Sequence, residues 1–195
     1  MQKIPAPEIT IADRKIGLNH PTYFIADIAA NHDGDLYRAK TLIHLAKEAG
    51  AEAAKFQNFR APKIVSDYGF KSLGGQLSHQ AEWSKSVYQV YDDASVPFEW
   101  TPILKEECDK VGLHYFSSPY DYDAIEMLAP YVPAYKAGSG LMSWPDALVR
   151  MANLGKPVLI ATGASDISDV VRAMRSVLEI NNQVILMQCN TNYTA

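Results

Sequence analysis

The sequence predicts an α/β fold in which parallel strands form a (β/α)8 TIM barrel, and three observations support this prediction. Short apolar runs alternate with longer segments of helical periodicity throughout residues 22–195. Polar residues follow nearly every apolar run, as is typical of barrel strands that end at an active site. The Gly-x-Gly-x-x-Gly turn of dinucleotide-binding sheets does not follow the first run, which argues against the other architecture that fits, a doubly wound open sheet.

Strands and helices are predicted in strict alternation, which implies parallel strands joined by helical crossovers. The predicted strands span 23–28, 51–56, 113–116, 134–137, 158–161 and 184–187, and the helices 36–49, 101–111, 122–128, 144–153 and 167–180. Residues 1–21 form an N-terminal arm, and an insertion at 58–95 holds one helix at 78–91. A full barrel takes about 250 residues. We therefore expect an incomplete barrel of about six βα units that lacks the last two.

Composition excludes several classes of function. Hydrophobic residues make up 48% and charged residues 21%, as in ordinary globular proteins. The net charge is −4 without a basic block, so neither a nucleic acid nor a membrane partner is predicted. The two cysteines suggest no disulfide framework or zinc site. No membrane-spanning run or signal-peptide core is present, so we expect a cytoplasmic protein.

The predicted strand ends carry residues suited to binding anions. Lys55 and Lys136 each end an apolar strand, and Ser118 and Ser139 lie at neighbouring strand ends. A lysine in such a place faces a costly environment unless it has an anionic partner. In a parallel barrel these side chains converge on one mouth, where they would suit a phosphate and a carboxylate held close together.

Each of these residues also has a purely structural interpretation. A lysine at a strand end can be a solvated cap, and residues 165–169 can be no more than a helix N-cap. Thr162 followed by Gly163 is a weak signal by itself. His32, beside Asn31 and Gly34, is equally a metal ligand, an acid–base group or a turn residue, and the sequence leaves this open.

Six segments at the predicted strand ends resemble, in order, the motifs of the N-acetylneuraminate (sialic acid) synthase family. They are 24–35 (FIADIAANHDGD), 55–57 (KFQ), 116–120 (FSSPY), 135–140 (YKAGSG), 161–163 (ATG) and 189–193 (CNTNY). Each motif is weak alone. Together they extend the resemblance from about residue 22 to residue 195.

The resemblance implies that phosphoenolpyruvate condenses with an N-acetylated amino sugar, N-acetylmannosamine or a diacetamido analogue, to give a nonulosonic acid and phosphate. It implies roles for nine residues. Catalysis would involve Asp27, Lys55 and Lys136, with Asp27 as an acid–base group where the family usually has glutamate. Phosphoenolpyruvate would lie near both lysines, Ser118, Ser139 and Thr191, and the sugar near Gln57 and Tyr193. Thr162 would also contribute to substrate binding.

The resemblance also implies a divalent metal, Mn or Mg, whose ligands we expect outside this chain on strands seven and eight. A C-terminal antifreeze-like domain and a homodimer are implied for the full-length protein, so this chain alone should be inactive. Leu141 and Ala161 depart from the family pattern, in which a glutamate and a hydroxyl residue are usual. Two alternatives stay open: a Schiff-base aldolase that uses Lys55 or Lys136, and a non-catalytic barrel that binds a sugar or a partner.

Overall fold

A computed structural model describes residues 7–73 and 79–191, and these form an α/β structure with the predicted alternation. The strands are β1 (Glu8–Ile11), β2 (Arg14–Gly17), β3 (Ile25–Ala29), β4 (Ala53–Asn58), β5 (His114–Pro119), β6 (Tyr135–Ala137), β7 (Val158–Ala161) and β8 (Val184–Met187). The α-helices are α1 (Leu36–Glu48), α2 (Ala61–Ile64), α3 (Asp67–Ser72), α4 (Val87–Asp93), α5 (Trp100–Val111), α6 (Tyr122–Leu128), α7 (Pro145–Asn153) and α8 (Ile167–Leu178). Two 3-10 helices span His79–Glu82 and Ser139–Ser143.

Strands β3 to β8 run parallel in chain order. Hydrogen bonds join β3, β4 and β5 into one ladder and β6, β7 and β8 into another, and β5 lies beside β6. This order confirms the predicted parallel α/β architecture. Within the described residues, β3 and β8 each have a ladder neighbour on one side only. Closure of the barrel by further βα units stays a prediction.

The inner strands β4, β5, β6 and β7 are packed on both faces and buried over most of their length, whereas β3 and β8 stay partly exposed. Ala54, Phe56 and Tyr115 belong to the core between the strands and the helices. Phe116 and Leu159 belong to a second cluster on the inner face. Because side chains alternate along a strand, the inner face of β4 and β5 also receives the predicted site residues.

A β-hairpin, which the sequence analysis missed, lies within the predicted N-terminal arm. Strands β1 and β2 pair antiparallel, and Ile11 at the end of β1 is 1% exposed. Ile11 packs in the inner cluster with Ile9, Ile16 and Ile25. The hairpin therefore covers the N-terminal end of the strands, opposite the ends that carry the predicted site.

The prediction of one helix at 78–91 was wrong. The described part of the insertion contains α2, α3, a 3-10 helix and α4. Helix α4 begins only at Val87, because the Ser86 hydroxyl accepts a hydrogen bond from the Gln89 N–H and the Gln89 side chain accepts one from the Ser86 N–H. Residues 74–78 lie outside the described ranges. No helix in those ranges is long and apolar enough to cross a membrane.

Candidate active site

Asp27 and Lys55 meet on the inner face because β3 and β4 pair with these two residues in register. Lys55 Nζ lies 2.8 Å from Asp27 Oδ1. The Lys55 side chain is 7% exposed, whereas that of Asp27 is 65% exposed. An ammonium group has three N–H donors. Lys55 is thus a buried cation that keeps donors for another partner beside a carboxylate that contacts solvent.

Lys136 lies on β6, where its Nζ donates to the Ala137 carbonyl at 3.2 Å. No described carboxylate is within ion-pair distance of this ammonium group. Burial and then the positive charge of Lys55 lower the pKa of Lys136, and Cys189 and Asp27 oppose this only in part. The two lysines therefore make a locally positive site in a protein whose net charge is −4. An anion bound between them would relieve their repulsion.

Ser118 pairs in register with Gln57, so both side chains lie on the inner face near Lys55. Ser118 is 1% exposed, and its Oγ has no hydrogen-bond partner among the described residues. A buried polar group left unpaired costs about 1–3 kcal/mol. This hydroxyl is accordingly suited to donate a hydrogen bond to an anion held by the lysines.

Three further predicted residues organise the loops after β6, β7 and β8. Ser139 Oγ accepts a hydrogen bond from the Gly163 N–H at 3.1 Å. The Thr162 hydroxyl donates to the Met187 carbonyl at 3.2 Å, and that of Thr191 to the Gly163 carbonyl at 3.5 Å. Both hydroxyls use their proton within the loops, so Thr162 and Thr191 can offer a ligand only a lone pair. Tyr193, predicted near the sugar, lies outside the described residues.

Gly163 is required by the close approach of two loops. A Cβ at this position would lie 2.9 Å from the Cys189 carbonyl oxygen and 3.0 Å from Thr191 Cγ2. Both are closer than van der Waals contact allows. The glycine therefore lets the end of β7 touch the segment after β8, which places Ser139 and Thr191 on either side of it.

Gln57 borders a cavity of about 270 Å³ that sequence reasoning did not find. Its other lining residues come mostly from the insertion and are apolar or aromatic: Phe59, Ile64, Val65, Phe70, Tyr91 and Tyr120. The aromatic residues of the insertion were the available signal. Only the folded chain shows that they gather beside Gln57.

Arg60 fixes this insertion to the parallel strands, and it too was missed. Its guanidinium donates to Asp121 at 2.9 and 3.0 Å and to Asp123 at 2.6 Å. It also lies over the Phe98 ring, 5.1 Å from the ring centroid. Asp121 in turn accepts from the Ala124 N–H at 2.8 Å and caps α6. Arg60 thereby orients the segment that walls the cavity.

His32 has a structural position in the loop after β3. It is fully buried, its Nδ1 accepts from the Gly34 N–H at 3.1 Å, and its ring meets Trp100 edge-on at 5.5 Å. Burial lowers the pKa of His32. These contacts favour the turn interpretation over an acid–base role.

Leu141 also faces away from the mouth. It is 6% exposed and belongs to the core between strands and helices, where a glutamate would need a buried partner. Ala161 is 1% exposed at the end of β7. The effect of these two departures on catalysis stays a prediction.

A metal ion does not fit the described side chains. In residues 7–73 and 79–191, no three His, Cys, Asp or Glu side chains lie close enough together to hold one. Asp27, the one acidic group at the site, is paired with Lys55. The expectation that metal ligands lie outside this chain stays a prediction, and no step of the reaction is assigned to a metal.

Comparison with known proteins decides the family. The model of the NeuB family matches residues 42–195, most of the chain. The chain belongs to the NeuB family. Membership confirms the resemblance, and five of the six motifs lie within the matched residues.

Relatives of this NeuB chain include enzymes named for sialic acids. The spore coat polysaccharide biosynthesis protein SpsE of Bacillus subtilis is 32% identical over 189 residues, which are 95% of this chain and 49% of that protein. N-acetylneuraminate-9-phosphate synthase of Homo sapiens is 29% identical over 181 residues, which are 92% and 50% of the two chains. The chain thus spans about half the length of the curated relatives that it matches.

Among solved structures, the NeuB fold recurs in the sialic acid synthetase of Leptospira borgpetersenii, determined in complex with citrate. It superposes with a TM-score of 0.85 at 26% identity, over 97% of this chain and 61% of the other. This likeness confirms the α/β architecture with its parallel, TIM-barrel-like strands.

Proposed function

We propose that this NeuB chain provides the phosphoenolpyruvate site of a nonulosonic acid synthase, which condenses that substrate with an N-acetylated amino sugar and releases phosphate. The observation that carries the proposal is the arrangement of Lys55 and Lys136 with Ser118. The buried cation Lys55, the half-buried cation Lys136 and an unpaired hydroxyl converge at the strand ends, and Asp27 is the one carboxylate beside them among the described residues. Phosphoenolpyruvate carries a carboxylate and a phosphate, the two groups that such a site would neutralise.

In the proposed reaction, C3 of phosphoenolpyruvate attacks the aldehyde carbon of the open-chain sugar and forms the new carbon–carbon bond. The aldehyde oxygen takes up a proton, and water adds to C2, where positive charge has developed. The C2–O bond to phosphate then breaks while the C2 hydroxyl gives its proton to the departing phosphate, which leaves a 2-keto acid and inorganic phosphate. Lys55 and Lys136 stabilise the negative charge that grows on the departing phosphate. Asp27, which contacts solvent, accepts the proton of the attacking water.

The properties of the whole protein are part of this proposal. The acceptor is N-acetylmannosamine or a diacetamido analogue. The full-length protein is a cytoplasmic homodimer that uses Mn or Mg, with metal ligands supplied outside this chain, and the present chain alone is inactive. The support is membership of the NeuB family together with relatives about twice as long as this chain.

The test is phosphate release by the full-length gene product from phosphoenolpyruvate and a panel of N-acetylated hexosamines, with and without Mn. We expect release that requires both substrates and is selective for one sugar. Release from phosphoenolpyruvate without any sugar would contradict condensation. Sugar binding by a folded protein that releases no phosphate would favour the non-catalytic barrel.

One observation favours the Schiff-base aldolase as a second candidate. An amine whose pKa is lowered, as that of Lys136 is, has more of the neutral nucleophilic form. Borohydride added in the presence of substrate would trap a covalent adduct on Lys136 if this mechanism operates. The synthase proposal expects no adduct.

A further inference from the structure

The cavity beside Gln57 differs chemically from the anion site that it adjoins. Phe59 is 3% exposed and packs against Tyr91, with centroids 5.4 Å apart, and edge-on against Tyr120 at 6.0 Å. Ile64, Val65 and Phe70 supply the remaining apolar wall. The wall is therefore built from interlocked aromatic rings, with the Gln57 amide and tyrosine hydroxyls as its polar groups.

We propose that this cavity binds the end of the acceptor sugar farthest from the aldehyde, and that it selects an uncharged, methyl-terminated group there. Such an end is found in 6-deoxy sugars and in sugars acylated on a distal amine. This inference rests on the proposed function, because it assigns the acceptor of the same site.

The distance between the cavity and the anion site fits such a substrate. Gln57 lies two residues beyond Lys55 on the same face of β4, which is about 6.6 Å farther toward the mouth. The end carbons of an open-chain six-carbon sugar are roughly 6 Å apart on bond-length grounds. With its aldehyde carbon at the phosphoenolpyruvate held by the lysines, the sugar would reach the cavity with its far end.

The volume of the cavity limits the size of the group that can bind in it. Sites that enclose a whole small molecule usually measure about 300–1,000 Å³. At about 270 Å³ this cavity is suited to a part of the acceptor, with the remainder in the mouth above the lysines.

Charge excludes a phosphate at that end. The described lining residues include no lysine or arginine. Three cations adjoin lining residues along the chain: Arg60 is paired with Asp121 and Asp123, Lys71 is paired with Asp67, and Lys63 is exposed to solvent. A phosphate in this cavity would be an anion without a cation among the lining residues, which is unfavourable, whereas a methyl group would displace water from aromatic surface at a gain.

The experiment compares three N-acylated aldoses that differ only in the terminal group, which is CH3, CH2OH or CH2OPO3, with the full-length protein. We expect kcat/KM for the methyl sugar to exceed that for the hydroxymethyl sugar about tenfold and that for the phosphorylated sugar at least about a hundredfold. Equal values, or a preference for the phosphate, would overturn the inference while leaving the synthase proposal intact. Failure of phosphate release with every sugar would instead contradict the synthase proposal.

Variants in α3 supply a matched pair. Phe70→Ala removes part of the cavity wall and should reduce the methyl preference to about twofold. Tyr68→Ala, two residues away and 84% exposed, should leave it unchanged. If Phe70→Ala does not fold, Ile64→Phe narrows the same cavity and should lower kcat/KM for the methyl sugar about tenfold.

A binding measurement keeps the inference testable without turnover. Calorimetry with the three alditols, the reduced and unreactive forms of these sugars, should give the same order of affinity in the wild type. The three affinities should become similar in Phe70→Ala, whereas their order should persist in Tyr68→Ala. Equal affinities of the three alditols for the wild type would refute selection by this cavity.

Discussion

The two ends of the parallel strands are built on opposite principles. At the N-terminal end, polar groups satisfy one another: His114 Nε2 lies 3.0 Å from Asp13 Oδ1, and His114 Nδ1 lies 2.6 Å from the Tyr23 hydroxyl. At the C-terminal end, Lys136 has no carboxylate partner among the described residues, and the Ser118 hydroxyl has no partner there either.

The difference separates the end that stabilises the fold from the end at which the proposed function places the ligand. The hairpin end buries Ile11 and pairs His114 with Asp13 and Tyr23, so it stabilises the fold without a ligand. The opposite end keeps buried polar groups unpaired, which costs stability until a ligand satisfies them. Changes at the two ends should therefore separate folding from function.

The largest effect is expected when the buried cation Lys55 is removed. Lys55→Met should lower kcat/KM for phosphate release about a thousandfold, or about 4 kcal/mol, because charge on the departing phosphate loses its partner. Lys15→Met is the matched control, since this lysine lies on the hairpin and is 62% exposed. A loss below about tenfold for Lys55→Met would show that the anion binds elsewhere.

The second largest effect is a loss of stability at the N-terminal end of the strands. Ile11→Ala should lower the free energy of unfolding by about 3 kcal/mol, because it leaves a void where Ile11 now packs against the inner cluster. Urea unfolding measures this change. Phosphoenolpyruvate affinity, measured by calorimetry on the folded variant, should stay within about twofold. A large loss of affinity would mean that the two ends are coupled.

At the mouth of the barrel we expect a gain in stability that is smaller than the loss expected for Ile11→Ala. Lys136→Met removes a cation that has no carboxylate partner among the described residues, and it should raise the Tm of the ligand-free protein by about 2–4 °C, or about 1 kcal/mol. The same variant should no longer gain Tm when phosphoenolpyruvate is added. If Tm falls in the ligand-free variant, Lys136 has a stabilising partner.

The smallest effect is a pH dependence that belongs to Lys136. Its pKa in the folded chain is lowered below the 10.5 of an ordinary lysine, so the unfolded chain binds more protons between these two values. Ligand-free stability should therefore rise with pH across that window because of this group. Affinity for phosphoenolpyruvate should fall across the same window, since the bound anion needs the protonated amine. Both trends should be weaker in Lys136→Met, and equal trends in the two proteins would assign them to another group.

Local patterns predicted most of the regular elements. The strands 158–161 and 184–187 and the helix 122–128 have the predicted bounds, because they depend on apolar periodicity and on caps within a few residues. The sequence analysis missed the hairpin because Glu8, Arg14 and Lys15 interrupt its apolar pattern. Its burial depends on strands that lie far along the chain.

The candidate site, too, could be predicted from the sequence only in part. The residues at the strand ends, among them Lys55, Lys136 and Ser118, could be predicted from the sequence, since strand ends follow from local pattern. Tertiary structure alone decided that Asp27 pairs with Lys55, that Ser118 is left without a partner, and that Phe70 joins Gln57 in one cavity. These facts depend on strand register and on the packing of the insertion. Both are set by contacts between distant residues, which no local pattern records.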